Sequence, residues 1–96
     1  MYATVRRYDG VTDPREAARR VKEGFVPIIS AVPGLLAYYW VDAGNGVMVS
    51  TSVFESLEGA EESNRRAAGW VKENLASLLP NPPQITAGEV VAHQAE

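Results

Sequence analysis

Apolar and aromatic positions alternate with polar ones from Tyr2 to Tyr8, then recur every third or fourth residue from Ala17 to Val32. The first period is that of a strand with one face on a core, and the second is one stripe of a helix. The first strand, YATVRRY, ends at Asp9-Gly10. In "TDPREAARRV", Asp13 can accept from first-turn amides, Pro14 takes the first helical position and Glu16 lies three residues beyond the cap, which predicts a helix start. The stripe behind it is Ala17, Ala18, Val21, Phe25, Ile28, Ile29 and Val32, interrupted by Gly24 and Pro27. Pro27 has no N–H to offer the carbonyl of Glu23, so a kink or a restart is expected there.

Pro33-Gly34 turns the chain into Leu35–Val41, LLAYYWV, a strand that is apolar or aromatic on both faces. The connection Asp42-Ala43-Gly44-Asn45-Gly46 has the Asn-Gly chemistry of a short hairpin, which pairs Val47–Phe54 antiparallel with that strand. Ser56 caps a second helix, expected to end near Leu79 because Pro80, Pro82 and Pro83 follow. Its apolar stripe is Leu57, Ala60, Ala67, Ala68, Val71, Leu75 and Leu78, and Gln84 to His93 alternates again as a fourth strand. No repeat, low-complexity tract or linker divides residues 1–96, which are read as a single domain.

The order β-α-β-β-α-β is a split βαβ unit, an α+β ferredoxin-like fold with a four-stranded antiparallel sheet and both helices on one face. Two helices cover only one side of that sheet. On the other side, either Leu36/Tyr38/Trp40 or Leu35/Ala37/Tyr39/Val41 would meet water, an unusual patch for a soluble monomer. At ~25 cal/mol per Å² of apolar area, a few hundred Å² of such sheet represents several kcal/mol awaiting cover. A second copy, self-complementary about a two-fold axis, is the simplest cover. The expectation is a homodimer through the sheet face, burying over ~1,000 Å² in total.

Composition trims the function classes. The 46% hydrophobic and 22% charged content is that of a soluble globular protein, and no apolar run approaches a membrane span. The N-terminus enters strand-like alternation without a signal-peptide core. With Cys 0, disulfides, thiolate metal sites and cysteine nucleophiles are excluded, and a cytoplasmic location fits. A net charge of −3 argues against a general nucleic-acid binder. RNA-binding domains share the strand order, but "GVMVSTSVF" lacks their basic, multi-aromatic third strand.

With this order in place, "VPGLLAYYWVDAGNG", "STSVFESLEGAEESNRRAAGWV" and the closing "TAGEVVAH" resemble the antibiotic biosynthesis monooxygenase (ABM)-like proteins of the dimeric α+β barrel type. The resemblance covers nearly the whole chain and is specific for the fold rather than for a reaction. It implies a dimer whose sheets form a joint barrel, with a cleft between sheet and helices in each protomer. Some members oxidise aromatic polyketides with dioxygen and no cofactor, others degrade haem, and many have no known activity. The haem-degrading members place an asparagine on the first strand and a histidine near the second helix, which YATVRRY and this second helix lack. Neither a cofactor nor a metal is expected.

Asn64 is the most informative candidate. It completes the spacing Leu57, Ala60, Asn64, Ala67, Val71, so an amide stands on the buried stripe of the second helix. A backbone carbonyl, a core water or a ligand oxygen would satisfy it, and the resemblance favours the ligand as a catalytic contact. Trp70, six residues on and roughly 240° around the helix, either flanks the cleft or covers the helix–sheet seam. Arg6 shares a face of strand one with Tyr2, Thr4 and Tyr8, and Ser52 one of strand three with Met48, Ser50 and Phe54. These mixed faces fit a wet dimer interface, with Arg6 on a carboxylate, better than the wall of a cavity for an oxygenated aromatic ligand. Tyr38 is the remaining aromatic candidate for such a wall. His93 stands alone at the end of the last strand, a poor metal ligand. Glu16/Arg20, Arg19/Glu23, Glu61/Arg65 and Glu62/Arg66 are four apart, as on solvated helix faces. The sequence supports a small-molecule-binding dimer, either a cofactor-independent monooxygenase of an electron-rich aromatic compound or a non-enzymatic ligand-binding or structural and regulatory dimer.

Overall fold

Asn45 and Gly46 both have positive φ, 54° and 77°, the geometry of a two-residue type I′ turn. In the computed structural model, which describes residues 1–95, that turn joins β2 (Leu35–Gly44) to β3 (Val47–Phe54). β3 pairs on its other side with β1 (Tyr2–Tyr8), and β1 with β4 (Gln84–Glu89). All pairs are antiparallel and the sheet order is β2-β3-β1-β4, the ferredoxin-like arrangement. β4 is shorter than its alternation predicts. Past Glu89 the Val90 N–H still donates to the Met1 carbonyl at 2.9 Å, and His93 lies exposed beyond the strand.

The first helical arm runs as α1 (Pro14–Arg20), a π-helical turn Val21–Phe25 and α2 (Val26–Ser30). The Asp13 carboxylate accepts the Glu16 N–H at 3.2 Å, as its cap position predicts. The interruption expected around Gly24 and Pro27 takes the form of a widened turn, in which Val26 N–H reaches back to the carbonyl of Val21. Val21 and Phe25 are both buried in the core.

α3 (Leu57–Asn74) starts on Ser56, whose Oγ accepts the Gly59 N–H at 3.4 Å. It stops at Asn74 rather than near Leu79. The chain instead tightens, with Leu78 and Leu79 N–H both donating to the Leu75 carbonyl at 2.9 Å, and the Leu78 carbonyl accepts Thr12 N–H at 3.1 Å. Burial of Leu75 and Leu79 holds this turn where Pro80 disfavours further helix. The buried face of α3 is also rotated from the expected stripe. Gly59, Ala60, Ser63 and Ala67 face inward, whereas Leu57 is 48% exposed and Ala68 is exposed.

Small residues on that face allow close approach. A Cβ on Gly59 would lie 2.8 Å from Phe54 Cδ1 and 2.9 Å from the Pro33 carbonyl oxygen. Gly59→Ala is therefore expected to destabilise the protein by about 1–3 kcal/mol, the range for overpacking a filled core. Thermal unfolding checks it, at roughly 4–8 °C of midpoint per kcal/mol for a domain of this size.

β2 satisfies neither of the two face assignments expected for it. A register shift between Leu35 and Ala37 makes Leu36 an extra residue, so Leu35, Tyr38 and Trp40 pair opposite the inward Phe54, Ser52 and Ser50. Ala37, Tyr39 and Val41 pair opposite Val53, Thr51 and Val49 on the uncovered face. Leu36, Tyr39, Val41 and Val5 remain exposed at 49%, 61%, 46% and 37%. The bare face of the sheet is thus largely apolar.

Candidate functional site

The mixed side of the sheet, with Arg6 and two serines among aromatic and apolar side chains, faces the helices. Thr4, Arg6 and Tyr8 of β1 and Met48, Ser50, Ser52 and Phe54 of β3 are all buried, while Val5 and Arg7 point the other way and are exposed. The wet dimer interface with Arg6 on a carboxylate is therefore corrected: Arg6 belongs to the interior. The alternation in β3 explains the inversion, since Val47, Val49 and Val53 occupy the uncovered face and leave the serines for the helix side.

Arg6 is only 6% exposed, and among the described residues it has no carboxylate partner. Its Nη2 donates to Asn64 Oδ1 at 2.9 Å and to the Asn64 main-chain oxygen at 3.4 Å. A guanidinium taken out of water without a counter-ion carries a large desolvation cost, which two amide oxygens offset in part. The contact also orients Asn64. Arginine only donates, so Oδ1 must face it and the Nδ2 group is turned elsewhere, with no protein acceptor among the described residues. Asn64 is half-buried at the edge of the α3 face, not in the middle of the buried stripe, because Ser63 and Ala67 take the centre.

Arg6, Tyr38, Ser52, Asn64 and Trp70, the residues singled out in the sequence, line one chamber between sheet and helices. It is nearly full, with a free volume of about 20 Å³, room for one water. Aromatic rings fill it: Phe25 lies 5.6 Å from Tyr38 and 5.4 Å from Trp70 between ring centres, and Tyr8 lies 5.5 Å from Trp40. Trp70 covers the seam with the first helical arm, where a Cβ on Gly24 would meet its Cζ2 at 2.8 Å. Burial pushes the Tyr38 phenol above its ordinary range, with Tyr8 adding to the push while Arg6 and Ser50 oppose it. Tyr38 is thus held as a neutral phenol.

Space for a ligand opens on the other side of the Arg6–Asn64 pair. α3 leaves β4 uncovered, so every residue of β4 is exposed and Ile85 remains 54% exposed. Between them runs a groove of about 510 Å³ lined by Arg6, Tyr8, Asn64, Arg65, Ala68, Val71, Pro83 and Ile85. A second hollow of about 250 Å³, with Thr4, Leu57, Ala60 and Ala87 in its walls, also borders Asn64. Arg6 and Asn64 separate a filled interior from an open groove of ligand size.

The sequence placed Tyr8 and Ser50 on faces read as a dimer interface rather than a cavity wall, and did not single out Ser63 or Trp40. Alternation alone placed Tyr8 beside Arg6 and Ser50 beside Ser52, so that signal was present. Ser63, whose Oγ donates to the Ala60 carbonyl at 2.8 Å, was hidden by the rotation of α3. Trp40 shares the face of Tyr38 by plain alternation, so that signal was present too; its Nε1 is fully enclosed without a protein acceptor among the described residues. The expected helix-face ion pairs form except Glu61/Arg65, because Arg65 turns to Glu62 at 2.7 Å. Among the described residues no three His, Asp or Glu converge, and no helix is long and apolar enough to cross a membrane.

No protein-family model matches the chain, and no curated protein does. Solved structures do match. A monooxygenase from the gene ActVA-Orf6 of Streptomyces coelicolor, in complex with the ligand nanaomycin D, aligns over 99% of this chain and 91% of its own at 20% identity and TM-score 0.77. A protein of unknown function from Nitrosomonas europaea aligns over 99% and 93% at 21% identity and TM-score 0.81. A dimeric ferredoxin-like protein from an uncultured marine organism aligns over 99% and 98% at 17% identity and TM-score 0.69. At these identities the likeness establishes the fold. The chain has the α+β ferredoxin-like fold that ABM-type monooxygenases share with dimeric ferredoxin-like proteins, the class its sequence resembles.

Proposed function

We propose that the protein is a homodimeric small-molecule-binding α+β barrel that oxidises an electron-rich aromatic compound, a phenol, hydroquinone or polyketide-like anthrone, with dioxygen and without a cofactor. The observation that carries this reading is the buried, counter-ion-free Arg6 held on Asn64 beside the groove. Once deprotonated, such a substrate can itself give an electron to dioxygen. For an anthrone, the methylene becomes a carbonyl with one oxygen atom of O₂, and the other leaves as water with the two hydrogens. The protein's task is to hold the anion against preorganised donors backed by the filled chamber. Arg6 supplies charge, the free Nδ2 of Asn64 supplies a second donor, and Tyr8 with the apolar groove wall supplies contact for the ring. Tyr38, Ser52 and Trp70 act from behind, by fixing Arg6 and Asn64 against the filled chamber. The second copy covers the bare sheet face, and the cysteine-free chain suits the cytoplasm.

Oxygen consumption with a panel of anthrones and naphthols tests the reaction. Wild type should oxidise at least one member well above buffer, and Asn64→Ala should lose roughly 10²–10³ in rate, the usual loss for one good donor. An Asn64→Ala variant as fast as wild type would remove Asn64 from the site. While the filled chamber supports a structural or regulatory dimer, the open groove, whose β4 wall is exposed along its whole length, favours a second reading, in which the dimer binds an aromatic ligand there without changing it. Saturable binding with no oxygen uptake across the panel would establish that reading instead.

A further inference from the structure

We infer that the groove between α3 and β4 selects aromatic carboxylates, with Arg6 as the residue that binds the carboxylate. The inference narrows the ligand class of the proposed site and shares its groove, but it does not depend on turnover. Of the other six arginines, Arg7, Arg19, Arg20, Arg65 and Arg66 each have a carboxylate partner, and Arg15, which has none among the described residues, is exposed to water. Arg6, the buried arginine, has none among the described residues. Both of its hydrogen bonds leave from Nη2, so Nε and Nη1 have no acceptor among the described residues. Those two nitrogens are not among the fully enclosed unpartnered atoms, and Arg6 borders the groove as well as the chamber.

The groove completes the requirement. No acidic side chain lines it, although the protein as a whole carries a net charge of −3. Arg65 stands at its rim as a second cation, shared with Glu62. Ala68, Val71, Pro83 and Ile85 give the remaining wall an apolar surface. A planar fork of N–H donors matches a carboxylate in two parallel bonds, and the apolar wall takes a flat ring behind it. A carboxylate there supplies the missing counter-ion, and the low dielectric around Arg6 strengthens the pair.

Calorimetric titration of the full-length protein with 2-naphthoate and with its neutral counterpart 2-naphthalenemethanol, under nitrogen, tests this. Naphthoate should bind about tenfold or more tighter, the effect of charge-assisted hydrogen bonds, and the difference should shrink with added salt. Arg6→Met should abolish the preference, and Arg6→Lys should keep part of it. Ile85→Glu, on exposed β4, should weaken naphthoate more than the alcohol even if the Arg6 variants fold poorly, since both lose a ring contact and only naphthoate meets the added charge. Equal binding of acid and alcohol, binding of neither, or an undiminished preference in Arg6→Met or Ile85→Glu overturns the inference. Naphthoate binding without any oxidation in the substrate panel leaves it standing and removes only the monooxygenase reading. Oxidation of neutral phenols without acid preference does the reverse.

Discussion

Tyr39→Asp is expected to leave a folded monomer at micromolar concentration, whereas Trp40→Asp, one residue along the same strand, is expected to prevent folding. Tyr39 is 61% exposed on the uncovered sheet face, between Thr51 and the open β2 edge. A carboxylate there meets water in the free protomer and costs it little. In a two-fold assembly each copy would bring the same charge into the interface, where an unpaired carboxylate costs several kcal/mol. Interface tyrosines are also frequent anchors, so the ring itself is lost as well. Trp40 points the other way, packed 5.5 Å from Tyr8 and opposite buried Ser50. An aspartate in that position would be sealed among aromatic rings. Light scattering and circular dichroism on the two variants separate the outcomes. A wild-type monomer, or a Tyr39→Asp variant that stays dimeric, would show that the bare sheet face is not the interface.

That contrast also marks what the sequence could and could not disclose. Hairpin chemistry at Asn45-Gly46, the caps at Asp13 and Ser56 and the alternation of β1 and β3 are local, and each produced the element it announced. The faces of β2 were not legible, because one bulge residue, Leu36, swaps the alignment of everything before it. The end of α3 was misplaced for a related reason. Leucines at 75, 78 and 79 continue a helical spacing, but tertiary burial and the Thr12 bond to Leu78 draw them into a turn. For the site, residue types were readable and their partnership was not. Arg6 and Asn64 are 58 positions apart, and only the packing of α3 across β1 makes them neighbours.

Arg6→Met is expected to raise thermal stability while ending both naphthoate preference and oxidation. Methionine keeps much of the unbranched apolar stem and removes a charge that the free protein buries without a counter-ion. Replacing buried charged groups by apolar ones of similar size is often neutral or stabilising by about 1–4 kcal/mol. Here the lower end applies, because Asn64 Oδ1 loses its donor and must turn to the groove for water. A gain of about 1 kcal/mol corresponds to roughly 4–8 °C in the midpoint for a domain of this size. The proposed dimer should persist, since Arg6 faces the helices and Tyr39 the uncovered sheet face. Stability gained as function is lost is the behaviour of a group held for a ligand rather than for the fold. An Arg6→Met protein that melts lower by more than its Asn64→Ala counterpart would show the opposite. The guanidinium would then be a structural tie between β1 and α3, and the groove would lose the charge on which both its anion preference and its chemistry rest.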